Sequence, residues 1–527
     1  MKIADERITK YGLALLAIVL IGLFLRVYQL GTQSMCYDES SSVWIAKMSF
    51  LSQVVQATRS FELSPPLYFI ILHYWIALFG TSEVALRSLS VLFGVLAIPV
   101  IYVLGRRLFN EEVGLLAALI LALSSFNIWY SQEARMYSLM VLLALVSMYF
   151  FWRFLQQTTL AVSAGYVLST VLLLYTHYYG AFVVITQNIY IVTLMVLSKQ
   201  RTYKLRHWVG LQAIVLALFA PWMVVLSRQS LAGAGPLQNL QYTAWIPQPT
   251  AYTLGLTYQI YCSAAQLAAE SGIAVYGTVV LLAAVLSALF LGLSVFSLFA
   301  YQKVRGAMDW KAPLKSLESY SWEVRIQDLT PVYFLAVWLL AINLIPFVIS
   351  LVSTPIYYFR YTIAASVALY LLVGKGIANI NYKPTKLAVI GVVAALSVTS
   401  LPSYYFGVAA VQSREATSLI DANAKSGDVV LIYPHWENLT FNYYNNRTDV
   451  AVKQIDYRNG PVNNPEATTE ALQSDVNGHD RVWFYDATGY GTPIIENFTL
   501  NFLNESYAKI YVNSYYGYSV YLYEKRA

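Results

Sequence analysis

The chain has 527 residues, of which 58% are hydrophobic and 12% are charged, with a net charge of +6. About one quarter of the residues in a soluble domain are charged, so the composition excludes an ordinary soluble protein. Apolar runs of about twenty residues, each long enough to cross a bilayer, recur up to about position 405. No later run could span a membrane. We therefore expect a transmembrane domain over 1–409 and a separate soluble domain over 410–527.

The apolar runs predict eleven membrane-spanning helices of alternating direction. The first run has no small-residue cleavage site after it and is read as a retained span. The segment Leu67–Gly80 follows Pro65-Pro66 and is short, so it is predicted to be an interfacial or re-entrant helix in the first outer loop, 31–86. The predicted spans cover 12–30, 87–105, 113–130, 137–155, 162–176, 178–197, 208–226, 273–299, 331–352, 361–379 and 387–405.

The distribution of Lys and Arg predicts the orientation of these spans. With a cytoplasmic N-terminus, the inner segments hold 18 Lys and Arg and the outer loops hold 5. Cytoplasmic loops carry the excess of positive charge, so we expect an integral plasma membrane protein with its N-terminus in the cytoplasm. An odd number of spans places the C-terminal domain outside.

The C-terminal domain has the pattern of an exported α/β or α+β unit. Its net charge is −5. Asp428–Tyr433, Arg481–Tyr485 and Tyr511–Tyr523 read as strands, and Arg414–Ala424 reads as a helix. Asn-x-Ser/Thr sequons, which are meaningful only on an exported surface, occur at Asn438, Asn446, Asn497 and Asn504. Cys36 and Cys262 are too few for a disulfide framework, and both are expected to be free thiols.

Ionisable and aromatic residues gather at the predicted outer ends of the spans. All of them would lie at one depth in the membrane, so adjacent spans could bring them into a single site. The residues are Asp38 and Glu39 after the first span, Glu133 and Arg135 in the second outer loop, His177 in the third, and Tyr357, Tyr358 and Arg360 in the fifth.

This combination of residue types suits sugar transfer from a polyprenyl phosphate. The reaction needs a carboxylate that takes a proton from the acceptor hydroxyl. It also needs a cation and hydroxyl donors that hold the departing phosphate. The lipid tail of the donor lies in the bilayer, so the site must open to lipid at the membrane interface.

Short motifs in the same region resemble the GT-C glycosyltransferases, in the branch of protein O-mannosyltransferases and the lipid A aminoarabinose transferase (glycosyltransferase families 39 and 83). The motifs are Tyr37-Asp38-Glu39, Ser64-Pro65-Pro66-Leu67-Tyr68, 80–87 (GTSEVALR) and 130–139 (YSQEARMYSL). The resemblance covers about residues 10–380. It implies the GT-C fold and Asp38 as the catalytic base. The family commonly has His before the Pro-Pro pair, where this chain has Ser64, which leaves the contacts near the pair in question.

The sequence therefore predicts a polytopic α-helical GT-C enzyme that moves one hexose or pentose, with inversion, to an outer-face acceptor. Glu39 joins Asp38 as a catalytic candidate. The candidates for binding the donor phosphate are Arg360, Arg135, Tyr357 and Tyr358. Further candidates for the site are Glu133, His177 and Arg87. The expected partners are the polyprenyl-phosphate-linked sugar, membrane lipid and a protein, lipid or glycan acceptor, with no nucleic acid. No cofactor is required, although Asp38, Glu39 and Glu133 could hold a divalent metal ion.

Other interpretations remain open at this point. Asp38 could cap a helix, Arg360 could extend along the interface to reach water, and Glu133 and Arg135 could form an ordinary charged turn. A transporter or lipid-sugar flippase should show internal repeats, and none is visible. A binding protein that acts through its external domain would not need charges gathered at the span ends. The Trp-Trp-Asp motif of oligosaccharyltransferases is absent from the sequence.

Overall fold

A computed structural model describes most of the chain, which divides into two compact units. The first unit comprises Met1–Tyr28 and Met48–Tyr405, and the second comprises Gln29–Lys47 and Phe406–Ala527. The described residues are 2–61, 64–198, 203–231, 245–265, 277–298, 300–302, 321–323, 326–407, 411–455, 464–489, 491 and 493–526. Most of the predicted inner segment 300–330 lies outside these ranges.

The first unit is almost entirely helical. A short antiparallel pair, β1 (Ala300–Gln302) and β2 (Ser321–Glu323), is the exception among its described residues. Its helices are α1 (Lys2–Val27), α3 (Leu51–Phe61), α4 (Leu67–Phe79), α5 (Glu83–Leu108), α6 (Glu111–Leu123), α7 (Ser125–Ser131), α8 (Tyr137–Gln156), α9 (Leu160–Leu174), α10 (Gly180–Ser198), α11 (Tyr203–Leu231), α12 (Ala251–Cys262), α13 (Gly277–Phe296), α14 (Ile326–Val352), a 3-10 turn (Ile363–Ala365), α15 (Ser366–Ala378), α16 (Lys383–Val398) and α17 (Leu401–Phe406).

The lengths of these helices confirm a polytopic membrane protein but do not establish the predicted number of eleven spans. Among the described residues, seven helices are long and apolar enough to cross a membrane, or eight if the bent pair α6–α7 is one span. Shorter apolar helices of 10–17 residues include α4, which falls where a short interfacial or re-entrant helix was predicted.

The predicted straight span 113–130 is instead broken at Ser124. Helices α6 and α7 meet there at 60°, and the Ser124 hydroxyl accepts the Asn127 N–H at 3.2 Å, which caps α7. The break leaves backbone carbonyls at the end of α6 that need donors. The fully buried Arg26 of α1 donates to the carbonyls of Leu121 and Ala122 at 3.0 and 3.1 Å. Arg26, which lies within the first predicted span, therefore stabilises the broken helix pair α6–α7.

The second unit is built around a five-stranded mixed sheet, which confirms the predicted α/β or α+β domain at the C-terminus. The strand order is β4-β3-β5-β7-β6, in which β3 pairs in parallel with β4 and β5 and the other pairs are antiparallel. The elements are α2 (Tyr37–Ala46), α18 (Ser413–Asn423), β3 (Val429–Tyr433), a 3-10 turn (His435–Glu437), α19 (Asn438–Tyr444), β4 (Ala451–Gln454), α20 (Pro465–Val476), β5 (Arg481–Asp486), α21 (Pro493–Ser506), β6 (Tyr507–Tyr515) and β7 (Tyr518–Lys525).

Buried apolar side chains lie on both faces of this sheet. Alternate residues of a strand point to opposite faces, and Val430 and Ile432 pack towards α18 and α19. Val429 and Leu431 pack towards α20 and α21 on the other face. The predicted strand over Tyr511–Tyr523 is in fact a hairpin, β6–β7, which turns at Gly517 with φ 83°.

Residues 29–47 are held within the second unit by several hydrogen bonds. The Met35 N–H donates to the Tyr444 hydroxyl at 2.7 Å, and the Ser413 hydroxyl donates to the Met35 carbonyl at 2.7 Å. The Ser34 hydroxyl donates to the Glu415 carboxylate at 2.8 Å. The segment that carries Asp38 therefore packs with the C-terminal residues, although the apolar runs of the sequence predicted that it belongs to the transmembrane domain.

Asp486, the last residue of β5, is a buried acid with an unusual environment. Its side chain is 1% exposed, and apart from the Glu496 carboxyl no hydrogen-bond partner in the described chain reaches either carboxylate oxygen. Burial, together with the neighbouring Glu496 carboxyl, raises the pKa of Asp486 from 3.8 to about 8. One of these two acids therefore holds a proton near neutral pH.

We expect the Asp486→Asn variant to be more stable than the wild type at pH 8. Between about pH 4 and 8 the folded chain holds a proton that the unfolded chain has released, so stability falls by about 1.4 kcal/mol per pH unit for this one proton. The decrease in stability ends above the raised pKa of Asp486, where the folded chain has also released the proton. Melting of the full-length protein from pH 5 to 9 measures this slope, which the variant should reduce. Asp475→Asn, at a partly exposed acid beside Lys453, is the control and should leave the slope unchanged.

Candidate functional site

The guanidinium of Arg360 lies within an aromatic cluster of the first unit. Its central carbon is 5.1–5.8 Å from the centres of four rings, which belong to Tyr137, Trp245, Tyr358 and Tyr361. At these distances a cation is attracted by the ring faces. The loop before Arg360 is fixed by the Ser350 hydroxyl, which accepts the N–H groups of Ile356 and Tyr357 at 2.9 and 2.8 Å.

His177 belongs to the same cluster. It is 6% exposed, and its ring centre is 6.1 Å from that of Tyr137 and 5.1 Å from that of Tyr361. Burial, together with the positive charges of Arg135 and Arg360, lowers the pKa of His177 to about 3. The imidazole is therefore neutral at physiological pH. Its Nδ1 accepts the Tyr179 N–H at 3.1 Å, which leaves the proton on Nε2 as a donor.

Arg135 reaches the cluster from the turn between α7 and α8. It is 5% exposed, and its guanidinium lies 5.9 Å from the centre of the Phe69 ring. Its carbonyl accepts the Ser90 hydroxyl at 3.0 Å, which holds the turn against α5. Both arginines act on the charge of His177, so two cations and a neutral imidazole share one region of the first unit.

The remaining first-unit candidates have different surroundings. The Glu133 carboxylate accepts the Trp129 indole N–H at 2.9 Å. Tyr357 is 1% exposed, and its hydroxyl donates to the Thr257 hydroxyl at 2.9 Å. Tyr358, in contrast, is one of the four rings around the Arg360 guanidinium. Arg87 is 3% exposed within α5.

Three aromatic members of the cluster were not among the predicted site residues. Tyr361 follows Arg360 directly, and Tyr137 opens α8 within the motif that contains Arg135. Their positions in the sequence could have signalled them. Trp245 lies far from the other members along the chain, and no local pattern indicates it.

Asp38 and Glu39 lie in the first turn of α2, in the second unit. Glu39 is 2% exposed and accepts the Cys36 N–H at 3.3 Å, so its carboxylate closes the N-terminus of the helix. Asp38 is half-buried, and its carbonyl accepts the Ser42 hydroxyl at 2.9 Å.

A third carboxyl group, Glu437, is electrostatically coupled to Asp38 within the second unit. Glu437 is 2% exposed and accepts the Tyr518 hydroxyl at 2.6 Å. Burial, together with the negative charge of Asp38, raises the pKa of Glu437 to about 6. No sequence pattern indicates Glu437, because only the packing of the second unit places the two acids near each other.

No group of three or more His, Cys, Asp or Glu side chains in the described part of the chain could hold a metal ion. Cys36 and Cys262 are both free thiols.

Comparison with family models identifies a related sequence segment. Residues 64–225 match the model of dolichyl-phosphate-mannose-protein mannosyltransferases, which covers less than a third of the chain. No curated protein matches the sequence.

Solved structures resemble the chain over nearly its whole length. ArnT from Cupriavidus metallidurans in the apo state covers 98% of both chains, with a TM-score of 0.61 and 13% identity. The same protein bound to undecaprenyl phosphate has a TM-score of 0.62, again with 13% identity and 98% of both chains covered. The oligosaccharyltransferase AglB from Archaeoglobus fulgidus, with an inhibitory peptide and a dolichol-phosphate, matches 97% of this chain and 74% of its own, with a TM-score of 0.54 and 13% identity. These matches confirm the predicted GT-C fold.

Proposed function

We propose that this chain is a polyprenyl-phosphate-dependent glycosyltransferase that moves a single sugar to an acceptor. The observation that carries the proposal is the joint position of Arg360, Arg135 and neutral His177 in the first unit. Two guanidiniums can hold a phosphate through charge-assisted hydrogen bonds, and the aromatic rings around Arg360 provide an apolar surface for the donor. Two structural neighbours were solved with undecaprenyl phosphate and dolichol-phosphate, respectively, which supports a lipid-phosphate donor.

In the proposed reaction the acceptor hydroxyl oxygen attacks the anomeric carbon of the sugar. Asp38 takes the hydroxyl proton, and the bond between the anomeric carbon and the phosphate oxygen breaks. The electron pair of that bond leaves with the phosphate, which gains negative charge. Arg360 and Arg135 stabilise this charge, and the Nε2–H of His177 is a further donor. Direct displacement inverts the configuration at the anomeric carbon, and no step requires a metal ion.

The proposed orientation follows the distribution of basic residues. Inner segments carry most of the Lys and Arg when the N-terminus is cytoplasmic. The reaction would then take place on the outer face of the plasma membrane, where protein, lipid and glycan acceptors are available.

A transfer assay with purified full-length protein tests the proposed function. Polyprenyl-phosphate sugars that carry different hexoses and pentoses are mixed with candidate acceptors, and mass spectrometry measures polyprenyl phosphate release and acceptor glycosylation. We expect one lipid-linked sugar to be used and the matching nucleotide sugar to be inert. Use of the nucleotide sugar alone, or movement of the lipid across vesicles without transfer, would contradict the proposal.

A further inference from the structure

A second group of basic residues lies at the other end of α5 and α8. Helix α8 begins at Tyr137 in the aromatic cluster, and Arg153 lies about 24 Å further along its axis at 1.5 Å per residue. Arg153 lines a cavity of about 170 Å³ together with Arg106 and Arg107 from the last turn of α5. Tyr149 and Val103 complete the lining. We call this feature the arginine cavity.

The guanidinium of Arg153 is oriented by Tyr149 but retains most of its donors. One Nη1–H donates to the Tyr149 hydroxyl at 2.9 Å, and the guanidinium lies 5.9 Å from the centre of that ring. The Nε–H is buried and has no hydrogen-bond partner in the described chain. An arginine has five N–H donors, and a buried donor that stays unpaired costs free energy. Arg153 can therefore bind an acceptor that the described part of the chain does not supply.

The charges around the cavity favour an anion. Glu111 lies 3.4 Å from one Nη of Arg106 and also accepts the Tyr102 hydroxyl, so one acid offsets part of the positive charge. Arg107 forms no hydrogen bond or ion pair with another described side chain. Three guanidiniums against one carboxylate leave a net positive cavity. Cytoplasmic loops generally carry an excess of basic residues, but this excess does not require three arginines to line one cavity.

We propose that the arginine cavity binds the phosphate group of an anionic ligand at the membrane boundary. Helices α5 and α8 are both candidate membrane spans, and the cavity lies where they end. Guanidiniums bind phosphate oxygens through paired N–H groups, and the headgroup phosphate of an anionic lipid is available at this depth. Free phosphate offers the same chemistry. The proposal is independent of the sugar-transfer reaction.

Ligand titrations on the full-length protein in detergent test this proposal. Native mass spectrometry measures retained phosphatidylglycerol against diacylglycerol with the same chains, and melting curves measure stabilisation by inorganic phosphate. Compared with the wild type, the double variant Arg107→Gln/Arg153→Gln should bind the effective ligand about ten- to hundredfold more weakly, because charge-assisted hydrogen bonds are lost. Arg153→Lys, which keeps the charge and the fold but loses the fork of donors, should show a smaller loss.

Arg206→Gln is the matched control, because Arg206 is an exposed basic residue of α11 outside the cavity lining. A loss confined to the cavity variants supports the proposal. Phosphatidylglycerol retention then identifies a lipid headgroup, and stabilisation by inorganic phosphate alone identifies a free anion. The proposal is overturned if diacylglycerol is retained equally well, if neither probe binds, or if Arg206→Gln weakens binding as much as the cavity variants do.

Discussion

Replacement of Asp38 by asparagine is expected to abolish sugar transfer while folding and donor binding survive. The amide keeps the shape of the carboxylate but cannot accept the proton of the acceptor hydroxyl. One acid–base group usually contributes about 10²–10⁴-fold to a rate. We expect a loss at or above the upper end of this range, because a sugar or protein hydroxyl is a poor nucleophile while it keeps its proton. Turnover by the purified variant with a defined donor measures the effect.

Glu39→Gln is the matched control, since Glu39 is the next residue in the same helical turn. Its carboxylate accepts the Cys36 N–H, and the amide oxygen of glutamine can accept the same hydrogen bond, so the melting temperature should stay close to that of the wild type. Donor binding and most of the transfer rate should remain. Near-normal transfer by Asp38→Asn would remove Asp38 from the mechanism.

Loss of the Arg360 side chain should have the second largest effect. If Arg360 holds the phosphate, Arg360→Ala weakens donor binding and slows transfer, because the same guanidinium binds the donor and stabilises the leaving group. A charge-assisted hydrogen bond contributes about 1.5–3 kcal/mol, so we expect a decrease in donor affinity of about tenfold to hundredfold or more. Arg360→Lys should recover only part of it, because an ammonium lacks the planar fork and stacks less well on the four rings.

Donor titration and melting temperature, measured in parallel on wild type and both variants, separate binding from stability. A structural role for Arg360 predicts full recovery by lysine and a change in melting temperature without a change in donor affinity. Arg228→Ala, at an exposed arginine in the last turn of α11, should change neither. Unchanged donor affinity in Arg360→Ala would move the proposed phosphate site to Arg135.

The sequence predicted much of the membrane architecture and part of the site. Apolar run lengths identify helices because the bilayer sets how many residues must be apolar. Residues at the outer ends of successive spans were expected to meet, and Arg135, His177 and Arg360 do lie near one another in the first unit. Their roles in transfer remain predictions, as does the role of Asp38.

Other features depend on tertiary packing that no local pattern reveals. Trp245 joins the aromatic cluster from a distant part of the chain. Residues 29–47 look like an ordinary outer loop, yet the backbone of Met35 hydrogen-bonds with Ser413 and Tyr444, which lie 378 and 409 residues later in the chain. The break at Ser124 is also hidden, because a serine between two apolar helices fits a continuous span equally well.

The contacts of Arg26 with the broken helix pair link the insertion of the first span to a later stage of synthesis. Arginine is among the most costly residues to place in a lipid phase. The Leu121, Ala122 and Ser131 groups that receive its hydrogen bonds emerge from the ribosome about one hundred residues later. At about 5–20 residues per second, these groups are synthesised about 5–20 s after α1. The full set of hydrogen bonds made by Arg26 can therefore form only after α6 and α7 have been synthesised.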